Sequence, residues 1–210
     1  MNPRRLTLLT VVVVVLAVVT ALVVARLRGN APAEFNLDGQ PSLGDASASV
    51  EIALFEDFLC PHCATFTESI FPLLKRDFVD TGQARIYFVN FPVLGPGSER
   101  IARASECVYH QSESAFWDLK EAMFRSPSEL DNSRRIVEFA EVYAPGIDSD
   151  ALHNCIGSSI ARKEVARDTD LARSLGLNST PSVTVNGVQV TNLSLNRIRV
   201  AVERALAAVE

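Results

Sequence analysis

The residues best suited to chemistry are Cys60 and Cys63, which sit in the run LFEDFLCPHCATF with only Pro61 and His62 between them. Two cysteines at that spacing can form a redox pair, half of a zinc site or a small structural bridge. Zinc would need two further ligands, and the other candidates, His62, His110, His153, Cys107 and Cys155, show no second paired spacing. A bridge closing so short a loop removes little entropy from the unfolded chain. A redox pair is the stronger reading, and the start of a helix would favour it, because the free N–H groups and the positive end of the dipole favour negative charge on the Cys60 sulfur. Pro61 suits the first helical turn, where a missing N–H costs nothing. His62 can add positive charge or a donated hydrogen bond, or it can be simply solvated. Cys63, one turn further in, is expected to be the more buried thiol and the resolving one. Glu56 could relay a proton to Cys63, although an acidic pair such as Glu56-Asp57 ahead of a helix also serves as capping or surface charge.

The flanking sequence supplies the elements that must position this pair. Ser49 to Phe58 alternates as a strand, with Val50, Ile52, Leu54 and Glu56 on one face and Ala53 and Phe55 on the other. Phe66, Ile70, Leu74 and Phe78 continue a helix after Pro61, and Pro72 within it predicts a kink. Ala84 to Val93 reads as a second strand, which makes a βαβ unit with a parallel pair and a right-handed crossover. A helical stretch follows from about Ser98 to Leu175, broken at Ser126-Pro127 and Ala144-Pro145-Gly146. Ser182 to Val185, the turn Asn186-Gly187 and Val188 to Val190 predict a hairpin. A last helix should place Ile198, Val202, Leu206 and Val209 on one face. Asn30 to Ser49, rich in Ala, Pro, Gly, Ser and Asp, reads as a tether with at most a short hairpin near Phe35 to Leu43.

The side of a membrane on which the cysteines work follows from the first 30 residues. Leu6 to Ala25 is a twenty-residue span without charge, flanked by Arg4 and Arg5 before it and Arg26 and Arg28 after it. That length fits a bilayer core of about 30 Å and predicts a transmembrane signal anchor after a cytoplasmic tail of residues 1–5. A cleaved signal peptide ending near Ala31-Pro32-Ala33 is the competing reading. Either exports the remainder, so the cysteines act outside the reducing cytosol, on the periplasmic or extracellular side. The chain carries 20 basic and 25 acidic side chains, and four of the arginines lie in those first 30 residues. The strongly acidic remainder makes nucleic acid a poor ligand.

The order βαβ, helical insert, ββα, with Cys60-Pro61-His62-Cys63 opening the first helix, resembles the thioredoxin fold. Together with the lead-in GQPSLGDASASVEIALFEDF, the NFPVLG after the second strand and Thr180-Pro181 ahead of the hairpin, it resembles more closely the DsbA-like family of exported disulfide oxidoreductases. The resemblance implies an α/β thioredoxin fold over about Phe35 to Val209. Its halves would be residues 49–97 and 176–210, around an insertion at 98–175. It implies a monomer without a bound cofactor or metal that introduces disulfides into reduced exported client proteins through Cys60 and Cys63. A membrane quinone-linked reoxidase would regenerate the pair. It also implies that Pro181 is a cis-proline facing the CxxC, leaving the backbone of Thr180 open to an extended client. A reductase or isomerase on the same fold is the first alternative, and a copper-binding assembly module using two thiolates and His62 the second. Cys107 and Cys155, 48 residues apart, remain as partners for a structural disulfide in an oxidising compartment; separate thiols or a second relay pair are the other possibilities.

Overall fold

The computed structural model of the chain describes residues 35–209. The expected anchor at 6–25 and the cytoplasmic tail lie outside them; among the described residues no helix is long and apolar enough to cross a membrane.

Five strands form one sheet: β1 (Ser42–Leu43), β2 (Val50–Glu56), β3 (Ala84–Asn90), β4 (Ser182–Val185) and β5 (Val188–Gln189), in the spatial order β1-β3-β2-β4-β5. The period of two in β2 assigns its faces. Val50, Ile52 and Leu54 pack with Phe66, Phe71, Leu74, Ile198 and Val202, whereas Ala53 and Phe55 pack on the opposite side with Leu37, Ala172 and Leu177. Strands β2 and β3 run parallel from Val50 opposite Ala84 to Glu56 opposite Asn90, and β4 lies antiparallel to β2. Asn186 and Gly187 both take positive φ, 46° and 77°, as a two-residue hairpin turn between β4 and β5 requires.

Helix α1 (Pro61–Ser69) follows β2 and gives way at Ile70 to the short α2 (Phe71–Leu74), with Pro72 at its start, and then to a π-helical turn at Lys75–Val79. The break falls where Pro72 cannot donate backward along the helix. The insertion consists of α3 (Pro96–Gln111), α4 (Glu113–Arg125), a single 3-10 turn at Pro127–Glu129, α5 (Ser133–Tyr143), α6 (Ser149–Ile156) and α7 (Ser159–Ser174). Side chains of Ser112, Asn132, Asp148 and Ser158 cap α4, α5, α6 and α7, each accepting from the N–H three residues on, so each of these helix starts has one of its free donors satisfied where the chain reverses. The last helix, α8 (Leu195–Ala207), buries Ile198 and Val202; Val209 lies beyond its end and is 58% exposed, off the face expected of it.

The lead-in differs from the expected local hairpin. Ser42 and Leu43 pair with Tyr87 and Ile86 of β3 and extend the main sheet as its edge. Gly44 ends this strand at φ +118°, where a Cβ would stand 2.9 Å from the carbonyl oxygen of Ala84, so the close backbone approach is open to glycine. Helix α4 secures the strand from the side: the Trp117 indole N–H donates to the Ser42 carbonyl at 3.0 Å, and Glu113 accepts from the Ser42 N–H at 2.8 Å.

Cys107 on α3 and Cys155 on α6 form a disulfide with Cα atoms 5.9 Å apart, and the buried Cys107 belongs to the apolar core of the insertion. Closing a 48-residue separation removes about 4 kcal/mol of unfolded-state entropy in the chain-entropy account. The double variant Cys107→Ala, Cys155→Ala is expected to lose stability on that scale, read in urea unfolding as a smaller unfolding free energy in water and a steeper slope, because the unbridged unfolded chain exposes more surface.

Candidate active site

The site is built at the carboxyl end of β2, where the chain leaves the sheet and enters α1. Cys60 is the N-cap of α1, with φ −81° and ψ 117°, and its own N–H donates to the Asp57 carbonyl at 2.9 Å. No side chain caps α1 and no acidic residue stands in its first turn, so the positive end of the helix faces the Cys60 sulfur without a competing anion on the same turn. Cys60 retains only 7% of its exposure and Cys63 none; neither is in a disulfide. Pro61 and His62 are exposed on the outer side of the turn.

The second wall comes from a segment 120 residues away. The Thr180–Pro181 peptide is cis, and the Cys60 thiol donates to the Thr180 carbonyl at 3.4 Å. Thr180 and Pro181 are half-buried, so this backbone edge beside the sulfur stays accessible. The sulfur therefore faces peptide backbone at the position where a metal-binding reading would want another soft ligand.

Beneath the turn lie two acids with different tasks. Asp57, 1% exposed, receives the N–H groups of Leu59 at 2.9 Å, Val93 at 2.8 Å and Leu94 at 3.0 Å, tying the CxxC turn to the loop after β3. It is neither surface charge nor a helix cap, the roles expected of this pair. Glu56, also 1% exposed, stands 3.3 Å from the Lys120 ammonium of α4. Burial pushes the Glu56 carboxyl above the usual carboxylate range, and the Lys120 charge works against that shift. The Cys63 thiol is held far above its ordinary value, chiefly by burial and next by the Glu56 charge.

The sequence reading missed Lys120. Its signal was positional: Phe116, Leu119, Met123 and Phe124 define the buried stripe of α4, and residue 120 falls inside that stripe. A second buried polar group was also missed. Asn90 at the end of β3 donates to Glu106 at 2.6 Å, and Gln40 donates to Asp168 at 2.5 Å. Burial and the neighbouring Asp168 charge push Glu106 up to about 9. Among the described residues, Glu106, His110 and Glu164 could bring three ligand atoms within 4.8 Å of one another; none of them belongs to the Cys60–Cys63 turn.

A family model described as thioredoxin matches residues 36–204. The probable disulfide bond formation protein D of Bacillus anthracis is 30% identical over 176 residues, covering 82% of this chain and 81% of its own. The disulfide bond formation protein D of Bacillus subtilis is 29% identical, with 81% and 79% covered. The crystal structure of oxidised BdbD from Bacillus subtilis superposes with a TM-score of 0.76 at 29% identity, over 82% of this chain and 95% of that one. Chlamydia trachomatis DsbA shares the fold, with a TM-score of 0.69 at 24% identity, over 81% of this chain and 89% of that one. A thioredoxin fold carrying a helical insertion is thus established. The chain belongs to the DsbA-like family of extracytoplasmic thioredoxin-fold oxidoreductases and is a thiol-disulfide oxidoreductase.

The burial of Cys63 has a consequence for stability with a definite sign. The folded, reduced protein binds the Cys63 proton more tightly than the unfolded chain, so this contribution is complete below the ordinary value of 9.0 and is lost as pH rises above it. The reduced form should therefore lose melting temperature relative to the oxidised form between about pH 8.5 and 10.5. Cys63→Ala should abolish that pH-dependent loss, and scanning calorimetry of both redox forms across the range measures it.

Proposed function

We propose that Cys60 and Cys63 are the exchange pair and that the protein introduces disulfides into exported proteins. The observation carrying this reading is the Cys60 sulfur at the uncapped start of α1, 3.4 Å from the Thr180 carbonyl at a cis peptide, with the fully buried Cys63 behind it. The names of the Bacillus relatives, disulfide bond formation proteins, agree with it.

In the oxidised enzyme a client thiolate attacks Cys60 Sγ; the Cys60–Cys63 bond breaks, and Cys63 leaves with the electron pair and takes up a proton. The client's second thiolate then attacks its own sulfur in the mixed disulfide and releases Cys60 as a thiolate. The client has lost two electrons and the enzyme has gained them. Negative charge on Cys60 is favoured by the helix start, so the reduced enzyme is the stabilised partner and the pair acts as an oxidant. Pro61 shapes the turn, His62 adds a charge or donor on its outer side, and the Thr180-Pro181 backbone offers an edge to an extended client strand. Glu56 exchanges protons with Cys63. No bound cofactor takes part. An outside oxidant, a quinone-linked membrane protein, restores Cys60–Cys63, and an anchor at residues 6–25 would keep both partners at the same membrane surface. Cys107–Cys155 is the structural bridge, since its sulfurs join two helices of the insertion core and Cys107 is 1% exposed.

The test compares the two cysteine pairs directly. Cys60→Ser should reduce oxidation of a reduced client to the background rate, Cys63→Ala should trap a mixed disulfide at Cys60, and the double variant Cys107→Ala, Cys155→Ala should keep most of the activity. Equilibration with glutathione should place the couple on the oxidising side of the glutathione pool, and His62→Ala should shift it about tenfold toward the disulfide form, roughly 30 mV more reducing. Activity that survives Cys60→Ser and vanishes with Cys107 and Cys155 would overturn the site; a strongly reducing couple would assign a reductase.

A further inference from the structure

Three arginines converge on a groove that the exchange chemistry leaves unused. Arg103 of α3 and Arg162 and Arg173 of α7 line a cleft of about 300 Å³ together with Pro92 of the loop after β3. The arginines that form ion pairs among the described residues, Arg76, Arg125, Arg134, Arg135, Arg167 and Arg199, all lie outside it. Arg103 Nε is buried without a hydrogen-bond partner, and Arg162 donates to the Gly157 carbonyl at 2.7 Å. Glu99 and Asp170 also line the groove, so three guanidinium groups face two carboxylates and one positive charge is left over. The excess is local, because the whole chain carries 20 basic against 25 acidic side chains.

An apolar step joins this groove to the redox turn. Val93 and Leu94 follow Pro92 and are 42% and 54% exposed, while their N–H groups donate to Asp57 beneath the turn. Gly97, in the first turn of α3, lies against the residue before Cys60: a Cβ there would stand 3.2 Å from Leu59 Cδ1. From Gly97 to Arg103 the helix advances about 9 Å, which an extended peptide spans in about three residues.

We propose that the α3–α7 groove is a docking subsite for the client: it takes one acidic side chain of an extended segment, about three to five residues from the cysteine that attacks Cys60. This rests on the reading of Cys60 as the exchange sulfur. A client held at the Thr180–Pro181 edge and continuing across Leu59, Val93 and Leu94 meets apolar side chains first and guanidinium groups next. Arginine suits a carboxylate there, since its planar donors can engage both oxygens. Glu99 and Asp170 limit the choice to a single acid, because a second carboxylate would be repelled and a client lysine would meet net positive charge. The groove selects among clients and leaves the sulfur chemistry unchanged.

The test uses the oxidised full-length chain and single-cysteine peptides carrying either glutamate or glutamine, two to six residues from the cysteine on either side. Stopped-flow measurement at pH 7 gives the second-order rate of mixed-disulfide formation at Cys60. At low salt the glutamate peptide should react about tenfold faster than its glutamine counterpart at the favoured spacing, and the ratio should fall below about threefold in 0.5 M sodium chloride. Arg103→Gln and Arg173→Gln should each bring the low-salt ratio toward one, and Arg103→Glu should favour a lysine peptide instead. Arg134→Gln, on α5 outside the groove, should leave the ratio as it is. A ratio near one at every spacing in the unaltered chain would overturn the inference, as would a tenfold ratio that survives both glutamine variants. Arg173→Gln changes an exposed side chain and decides the matter if Arg103→Gln does not fold. Mixed disulfide forming in Cys60→Ser would instead refute the exchange site itself, so the two failures are distinct.

Discussion

A fully buried ammonium and a fully buried carboxylate, 3.3 Å apart, join the insertion to the central sheet. Removing both ions from water costs several kcal/mol each, and only close pairing with further polar and aromatic contacts offsets that cost. Glu56 comes from β2 and Lys120 from α4, so the pair is satisfied only when the insertion sits on the sheet in one register. The four aromatic rings around the ammonium and the Thr67 hydroxyl supply the remaining contacts. The same helix reaches the sheet edge through Trp117 and Glu113, both bonded to Ser42. The insertion is therefore joined to the thioredoxin framework by charge and hydrogen bonds as well as by apolar packing.

Around that join, the redox turn is held from three directions. From below, Asp57 collects the N–H groups of Leu59, Val93 and Leu94 and so ties the turn to the loop after β3. From the side, the cis peptide at Thr180–Pro181 sets a carbonyl against the Cys60 sulfur. From the insertion, Phe58 stacks on Phe124 with ring centres 4.8 Å apart. Cys60 and Cys63 themselves belong to the insertion's apolar core. The result is a chemical asymmetry between neighbouring sulfurs: one at a helix start beside an open backbone edge, the other without solvent exposure and beside a negative charge.

A second polar centre occupies the end of β3. Asn90 bonds Glu106 through its side chain and Asp168 through its backbone N–H, and Gln40 from the lead-in reaches Asp168 across 128 residues. Two buried carboxyls this close share a proton more readily than both ionise. The cluster ties the lead-in segment, β3, α3 and α7 together, and it explains why residues 37–43, which read as tether, form part of the folded unit.

Much of this protein was legible from local sequence. Strand faces follow from the period of two at Val50 to Phe55, the break in the first helix from Pro72, the hairpin turn from Asn186-Gly187, and the redox turn from a CxxC placed after a strand; each depends on residues within a few positions of one another. Burial of Cys63 was readable for the same reason, being one turn into a helix whose apolar residues point at the sheet. What only the tertiary structure decided involves groups distant in sequence. Lys120 falls inside the apolar stripe of α4, but a lone lysine there does not declare itself buried, and its burial becomes tolerable only once Glu56, 64 residues earlier, is beside it. Asp57 reads as a cap until the Val93 and Leu94 amides fold over it, and Ser42–Leu43 is too short to declare itself a strand without the edge of β3. Sequence patterns report the preferences of single elements, whereas the pairing of buried charges is a property of their packing, because desolvation penalises each partner until the other arrives.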